Sequence, residues 1–405
     1  MTKILSNKSN IDLDYPICRP SLDLDFTQEE LDPRITFSRG SIGTRVNRNR
    51  LIETVSANQP RFDFDPISGE CRGLLIEESR TNSLLYSQDF SNAIWSSNLT
   101  ILLASYNNLT GLDGTTSAST FTAIPLSGLN TIYQNFTCTA STTYTFSFYV
   151  KLGTLPSSSF KIAVFNLTGS SFIAVDVVPT QTLSTSSWTR VSYTFTTPVG
   201  CISARVYPYR NAVISQNNGT FYLWGAQVEA GAFPTSYIPT TASTVTRSAD
   251  NADMTGTNFS SWYNSSEGTI QTNIAIPYRS VTGGRSFALD NGTVAYMLDF
   301  TNTSNVVAVE GLENSGYRVM TQVSNSTSIK LNQTTTYSTQ PAPSQIICVN
   351  GTLSGASKVY LTTSNYANLR LGTQVNGAAY LNGTISRLTY YPRALKPNQL
   401  QFLTQ

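Results

Sequence analysis

Thr143-Tyr-Thr-Phe-Ser-Phe-Tyr-Val150 alternates strictly, with Tyr144, Phe146, Phe148 and Val150 on one side and Thr143, Thr145 and Ser147 on the other. A period of two marks a strand with one apolar face, because successive side chains leave a pleated backbone on opposite sides. Arg190 to Thr196 repeats the pattern with Val191, Tyr193 and Phe195 inward, and Ile202, Ala204 and Val206 continue it between Cys201 and Tyr207. The runs are separated by turn-forming stretches such as Leu155-Pro-Ser-Ser-Ser159 and Thr197-Pro-Val-Gly200, with no amphipathic helix between them. This predicts an antiparallel β-sandwich rather than an alternating α/β sheet. Charge agrees: from Ser91 to Thr189 the charged residues are Asp113, Lys151, Lys161 and Asp176. Helices in water usually carry charged outer faces, whereas Thr, Tyr, Phe and Val suit strands.

Working outward, Phe221-Tyr-Leu-Trp-Gly-Ala-Gln-Val-Glu-Ala-Gly231 reads as the closing strand of this sandwich, and Pro239 to Asn251 has the composition of a linker. A domain boundary is expected near residue 250. Beyond it Ile270, Thr272, Ile274 and Ile276 share one face of a strand. Short runs at Ser286 to Leu289, Val294 to Phe300, Val306 to Glu310, Tyr317 to Val323, Ser344 to Val349 and Lys358 to Thr362 are spaced like a second sandwich. Pro397 suits the first position of a helix, and Leu400 and Leu403 three apart give it a core face through Thr404. The first 85 residues are less regular. Asp12-Leu-Asp14 and Asp23-Leu-Asp-Phe26 put carboxylates and apolar groups on opposite faces of short strands, and Arg34, Arg39, Arg45, Arg48 and Arg50 follow with no acid between Arg34 and Arg50.

Composition bounds the chemistry. The chain has 405 residues and no histidine, which excludes Ser-His-Asp and Cys-His nucleophiles, His-ligated metals and a histidine pH switch. A net charge of +2 supplies no global field for nucleic acid or an anionic membrane. The five cysteines, Cys18, Cys71, Cys138, Cys201 and Cys348, form no CxxC pair and read as buried apolar residues of a protein made in a reducing cytosol, with room for one disulfide. The stretch from Met1 to Pro16 lacks the apolar run of a signal peptide, and nowhere do about 18 apolar residues run together. The expectation is a protein that neither follows a standard secretory route nor inserts in a membrane. No Walker loop, Rossmann fingerprint or nucleophile elbow is present.

Three stretches carry a resemblance. Leu31-Asp-Pro-Arg-Ile-Thr-Phe-Ser-Arg-Gly40, Pro60-Arg-Phe-Asp-Phe-Asp-Pro66 and Cys71-Arg-Gly-Leu-Leu-Ile-Glu-Glu-Ser-Arg-Thr-Asn82 resemble the N-terminal region of tailed-bacteriophage head-spike and fibre proteins. In that family the segment leads into a carbohydrate-binding-module-like sandwich, here opening at Ser87 to Trp95 and ending near Gly225 to Thr240. Leu381 to Leu395 resembles the last strand and closing turn of a concanavalin-like (laminin-G-like) sandwich. The resemblance implies an all-β chain with three segments: 1–85 for virion attachment, 86–250 a jelly-roll carbohydrate-binding-like sandwich, and 251–405 a concanavalin-like sandwich. It also implies a homotrimeric, non-enzymatic spike or fibre on the virion surface that touches capsid or tail proteins and host glycans. The rival readings are capsid decoration without a ligand and a polysaccharide depolymerase, the latter needing an acid pair across a cleft.

Sugar rings stack on aromatic planes while planar polar groups bind their hydroxyls. Tyr207-Pro-Tyr209-Arg210-Asn211 combines these groups in what reads as a loop, and Trp262-Tyr-Asn264 does so at the entrance to the last domain. Tyr207, Tyr209, Arg210, Trp262 and Tyr263 are therefore the candidate glycan contacts, whereas Trp95 and Trp224 are expected in the core. Arg34, Arg39, Arg45, Arg48 and Arg50 are the candidate docking arm, pairing with a partner's carboxylates, against a plainer role as solvated strand edges. The pairs Asp12 with Asp14, Asp23 with Asp25, and Asp63 with Asp65 are weak calcium signals without a glycine-turned loop, so no metal and no cofactor are expected. Glu77 and Glu78 face opposite ways on a strand, and a salt bridge to Arg80 or to the arginine run is expected there.

Overall fold

The computed structural model describes residues 18–405 apart from 98–101, 127, 278–283, 293–294, 302–305, 314–315, 325–329, 339–343, 355–356, 359–365 and 378. It is built almost wholly of antiparallel strands, the class that the period-two runs predict. The chain forms two compact units. One comprises the described residues up to Gly40 with Val55–Glu78 and Ala249–Gln405; the other comprises Ser41–Thr54 and Ser79–Ser248. This division differs from three consecutive segments. Residues 18–85 form no compact unit of their own but supply strands to both units, because each short strand there has one apolar face to bury. Leu22, Leu24 and Phe26 are buried, and Leu22–Asp25 pairs with Gly383–Tyr391. Pro239 to Asn251 is likewise no free linker: Val245–Arg247 pairs with Arg80–Asn82, and Asp250 is fully buried.

The unit containing Ser79–Ser248 is a sandwich of two five-stranded sheets. In spatial order the first runs Thr189–Thr196, Thr143–Leu152, Gly219–Ala230, Thr116–Ala123, Leu102–Thr110; the second runs Ser171–Val177, Ile162–Asn166, Ser203–Asn211, Asn130–Thr137, Ser96–Ser97. Tyr144, Phe146, Phe148 and Val150 enter the core between them, together with Val191, Phe195, Ala204 and Val206. Ile202 departs from the expected pattern. It precedes its strand and is 64% exposed, because the chain has just left the turn at Gly200. Trp95 and Trp224 are buried as expected, their indole N–H groups donating to Tyr86 O and Ser117 Oγ.

The other unit packs a nine-stranded sheet on a seven-stranded one. Gly383–Tyr391 is the hub of the first: one edge pairs with Glu267–Ala275, and the opposite edge takes Cys71–Ile76 at residues 383–385 and Leu22–Asp25 at residues 387–390. Ile270, Thr272, Ile274 and Ile276 are all buried, and Phe287, Leu289, Leu369 and Leu371 face them from the second sheet. Ser344–Val349 forms as expected, whereas Lys358 ends a short strand, Ser357–Lys358, and 359–362 lie outside the described residues. The helix Pro397–Leu403 has Pro at its start and buries Leu400 against Cys348, Tyr391 and Leu395.

Candidate functional site

The sheet Ser171–Val177, Ile162–Asn166, Ser203–Asn211, Asn130–Thr137 has two faces of different chemistry. Ile132, Phe136, Val164, Ala204 and Val206 enter the core. Register then places Asn135 and Phe165 beside Arg205, and Phe172 beside Phe165, on the outward face. A bulge decides the rest. Between the pairs Ile132–Tyr209 and Gln134–Val206, Tyr133 faces both Tyr207 and Pro208, so one strand gains a residue on the other. An extra residue inverts the side-chain alternation beyond it, and proline is tolerated there because the ladder is already interrupted. Tyr207 and Arg210, three apart, therefore share the outward face, and Tyr209 turns inward.

On this face the Arg205 guanidinium lies 3.9 Å from the Tyr133 ring centroid and 5.9 Å from that of Tyr207. Its Nε donates to Asn135 Oδ1 at 2.7 Å and its Nη1 to the Tyr207 hydroxyl at 3.4 Å. The two tyrosine rings are 5.3 Å apart and tilted by 53°. Alongside, Arg210 sits 4.6 Å from the Phe172 ring and donates to Asp176 Oδ1 at 2.7 Å, while Phe172 meets Phe165 edge-on at 4.8 Å. Arg205 is thus held by two hydrogen bonds and two rings and Arg210 by one of each, which fixes their orientation and leaves other N–H groups to donate. Rings, planar cations and an amide on a pleated surface are the groups that bind ring faces and hydroxyls.

Of the expected glycan contacts, the structure leaves Arg210 on this face; Tyr207 points the same way but is only 6% exposed, packed against Tyr133 and Arg205, and the others are drawn into the core. Tyr209 is fully buried between Phe160 and Phe221, its hydroxyl donating to Asn217 Oδ1, and burial pushes its pKa above the usual tyrosine value. Trp262 is 5% exposed, packs on Phe259 and Tyr390 at 4.9 Å, and donates its indole N–H to Asn258 O. Tyr263 stacks on Phe259 at 4.8 Å against the same core. These aromatics close the core around a tight turn, so their ring faces are spent. Tyr133, Asn135, Arg205, Phe172 and Asp176 were not expected. Arg205 and Tyr207, two apart in an alternating run, carry the one local signal; the others join only through pairing.

The arginine run is dispersed. Arg34 is held bidentately by Asp32 through Nε and Nη2 at 2.9 and 2.7 Å. Arg39 is 1% exposed, its guanidinium donating to Ser56 O, Gln59 O and Asp250 Oδ1, so it cannot dock on anything. Arg45 pairs with Glu53 at 2.6 Å across the hairpin of Gly43–Val46 and Ile52–Val55, and Arg48 and Arg50 are exposed near its turn. Asp250 also binds the fully buried Arg61, whose Nη2 reaches Glu77 at 2.9 Å. Glu77 is therefore paired with Arg61, which lies outside the arginine run. Asp23 accepts from Arg387, and Asp65 from Arg72 and from the N–H groups of Ile67 and Ser68. Among the described residues no group of three or more acidic or cysteine side chains is placed to hold a metal ion. A concavity of about 510 Å³ lies over Asp23, Gln271, Asn273, Arg387 and Thr389 in the other unit, with a floor of amides, a hydroxyl and an ion pair.

Sequence comparison meets the same strands. Residues 136–208 match the carbohydrate binding domain family. The match spans from Phe136 through Pro208, so it includes Phe165, Phe172, Asp176, Arg205 and Tyr207, while Tyr133, Asn135 and Arg210 lie just outside it. No curated protein matches the sequence. Similar solved structures include the CBM40 of the Ruminococcus gnavus IT-sialidase, 14% identical with a TM-score of 0.31, covering 36% of this chain and 88% of that one. The Trypanosoma rangeli sialidase is 10% identical with a TM-score of 0.29, covering 38% and 26%. The receptor binding domain of botulinum neurotoxin type G is 9% identical with a TM-score of 0.29, covering 38% and 39%.

Proposed function

We propose that this protein is a non-catalytic adhesin, a trimeric spike or fibre on a tailed-bacteriophage virion, that binds host-surface saccharides on the Tyr133–Arg205 platform, which the buried Tyr207 supports, and the adjoining Phe172–Arg210 pair. One observation carries the reading: an outward sheet face of rings and oriented guanidiniums formed by strands within and beside the segment matching a carbohydrate binding domain. The virion assignment is supported by the resemblance of the stretches at 31–40, 60–66 and 71–82 to phage spike proteins. A single open platform offers a few stacking and hydrogen-bond contacts of about 1 kcal/mol each. Adhesion then rests on avidity, with weak sites repeated in a trimer and over many copies on a particle.

The test is a bacterial-surface glycan array followed by calorimetry on the best hit. Retention of at least one saccharide, lost in Arg205→Ala and Tyr133→Ala, is the expected result. A blank array would favour capsid decoration, and release of oligosaccharide from capsule by the purified protein would make it an enzyme. Gold-labelled antibody on intact virions assigns head or tail, and light scattering showing a monomer would remove the trimer.

A further inference from the structure

Cys138 follows the strand Asn130–Thr137, and Cys201 precedes Ser203–Asn211, the two strands that carry Tyr133, Asn135, Arg205 and Tyr207. Their Sγ atoms are 3.6 Å apart, as two thiols in hydrogen-bond contact, and Cys138 N donates to Ile202 O at 3.0 Å, which holds the two backbones side by side. A disulfide requires about 2.05 Å between sulfurs. Side-chain rotation can close the remaining gap, since the facing backbones are already paired. Both thiols are buried, yet Cys201 lies beneath a surface turn: its N–H donates to Pro198 O, Val199 beside it is 90% exposed and Ile202 is 64% exposed. Opening that one turn reaches the sulfur without unfolding the sheet.

We propose that Cys138 and Cys201 are a latent disulfide, open in a reducing cell and closed by exchange with a small-molecule disulfide once the protein is outside it. The Cys201 thiolate attacks the small disulfide, forming a mixed disulfide and expelling one small thiolate. Cys138 then gives up its proton and displaces the second small thiolate from Cys201. Two protein thiols lose two protons and two electrons, and two small thiols leave. Burial and the Cys201 contact push the Cys138 thiol up to about 12, so the closing step is slow at neutral pH and faster in mild base. The bridge joins positions 63 residues apart and ties together the two strands of the platform. Closing a loop of that length stabilises chiefly by restricting the unfolded chain. This inference concerns covalent chemistry and stands whether or not a saccharide binds.

The full chain is incubated with oxidised glutathione at pH 8.5, and its thiols are counted in denaturant before and after. The expected result is a fall from five thiols to three, a single linked peptide pair containing Cys138 and Cys201, and a Tm raised by about 5–10 °C. Cys201→Ser should abolish both the link and the shift; where it folds poorly, Cys138→Ala serves the same purpose. Five remaining thiols, glutathione held on Cys201 without closure, a link between other cysteines, or closure with an unchanged Tm would each overturn the proposal.

Discussion

Arg39 and Arg61 in one unit and Arg205 and Arg210 in the other present the same side chain in opposite settings. The first two are fully buried and share Asp250, with backbone carbonyls and Glu77 satisfying further N–H groups. The second two pack over rings on the outward face of a sheet. A buried guanidinium must be charge-paired, because an unpaired charge in the interior costs several kcal/mol. A guanidinium on a ring stays partly hydrated, keeps donors to spare and gains about 0.5–1 kcal/mol from the contact. The same residue type is thus a structural bolt where carboxylates and carbonyls surround it, and a recognition group where rings and water do.

The sharpest way to break that contrast is to remove the shared carboxylate. Asp250→Ala leaves Arg39 and Arg61 buried without their anion and is expected to destabilise its unit by about 3–5 kcal/mol, read by urea denaturation. Saccharide affinity at the platform, measured below the transition, should not change. A loss under 1 kcal/mol would mean that the carbonyl contacts and Glu77 suffice to hold the two guanidiniums. Arg205→Ala should do the reverse. It is expected to weaken saccharide binding about tenfold, equivalent to about 1.4 kcal/mol, while shifting stability by under about 1 kcal/mol. If instead Arg205→Ala unfolds the protein and leaves the affinity of the folded fraction intact, the platform is structural and the contrast collapses.

How much of this was legible in the sequence depends on what each residue's neighbours are. The period-two runs at 143–150 and 270–276 were readable because one face of each strand is apolar and buried. Lys330–Ser338 was not, since Thr334, Thr335 and Thr336 are all nearly inaccessible and a strand covered on both faces by hydroxyl residues shows no alternation. The alternation of Leu22, Leu24 and Phe26 was visible, but its partner strand lies some 364 residues away, as the Arg387–Asp23 contact shows, so a separate N-terminal region was the simpler expectation. At the platform the residue types in Tyr207 to Arg210 were right and their geometry was hidden. A bulge opposite Tyr133 sends Tyr209 inward, and bulges depend on the facing strand rather than on local sequence.

Between the two extremes lies Arg72, a half-exposed partner of Asp65. Partial burial raises the Asp65 pKa, but the Ser68 N–H, Arg72 and the Ile67 N–H outweigh it and hold the carboxyl at about 2. A carboxylate depressed in the folded state binds its proton later than in the unfolded chain, whose aspartates titrate near 4. Its stabilisation is present above pH of about 4 and lost as pH falls towards 2. Urea midpoints measured across that window should fall less steeply in Asp65→Asn than in the parent. Parallel slopes would mean that the turn survives protonation of Asp65.

The smallest effect is expected at Arg34, and that is what makes it informative. Its bidentate pairing with Asp32 has better geometry than most ion pairs, yet the side chains are 32% and 20% exposed and the partners are two residues apart in the chain. Both members are already neighbours in the unfolded state, so folding brings little closer together, and water competes for the charges that remain exposed. Arg34→Ala should therefore cost at most about 0.5 kcal/mol in urea denaturation, and the difference should shrink in 1 M salt, where the Debye length is about 3 Å. A cost near that of Asp250→Ala, insensitive to salt, would show that burial is not what separates a structural guanidinium from a surface one, and that pairing geometry alone suffices.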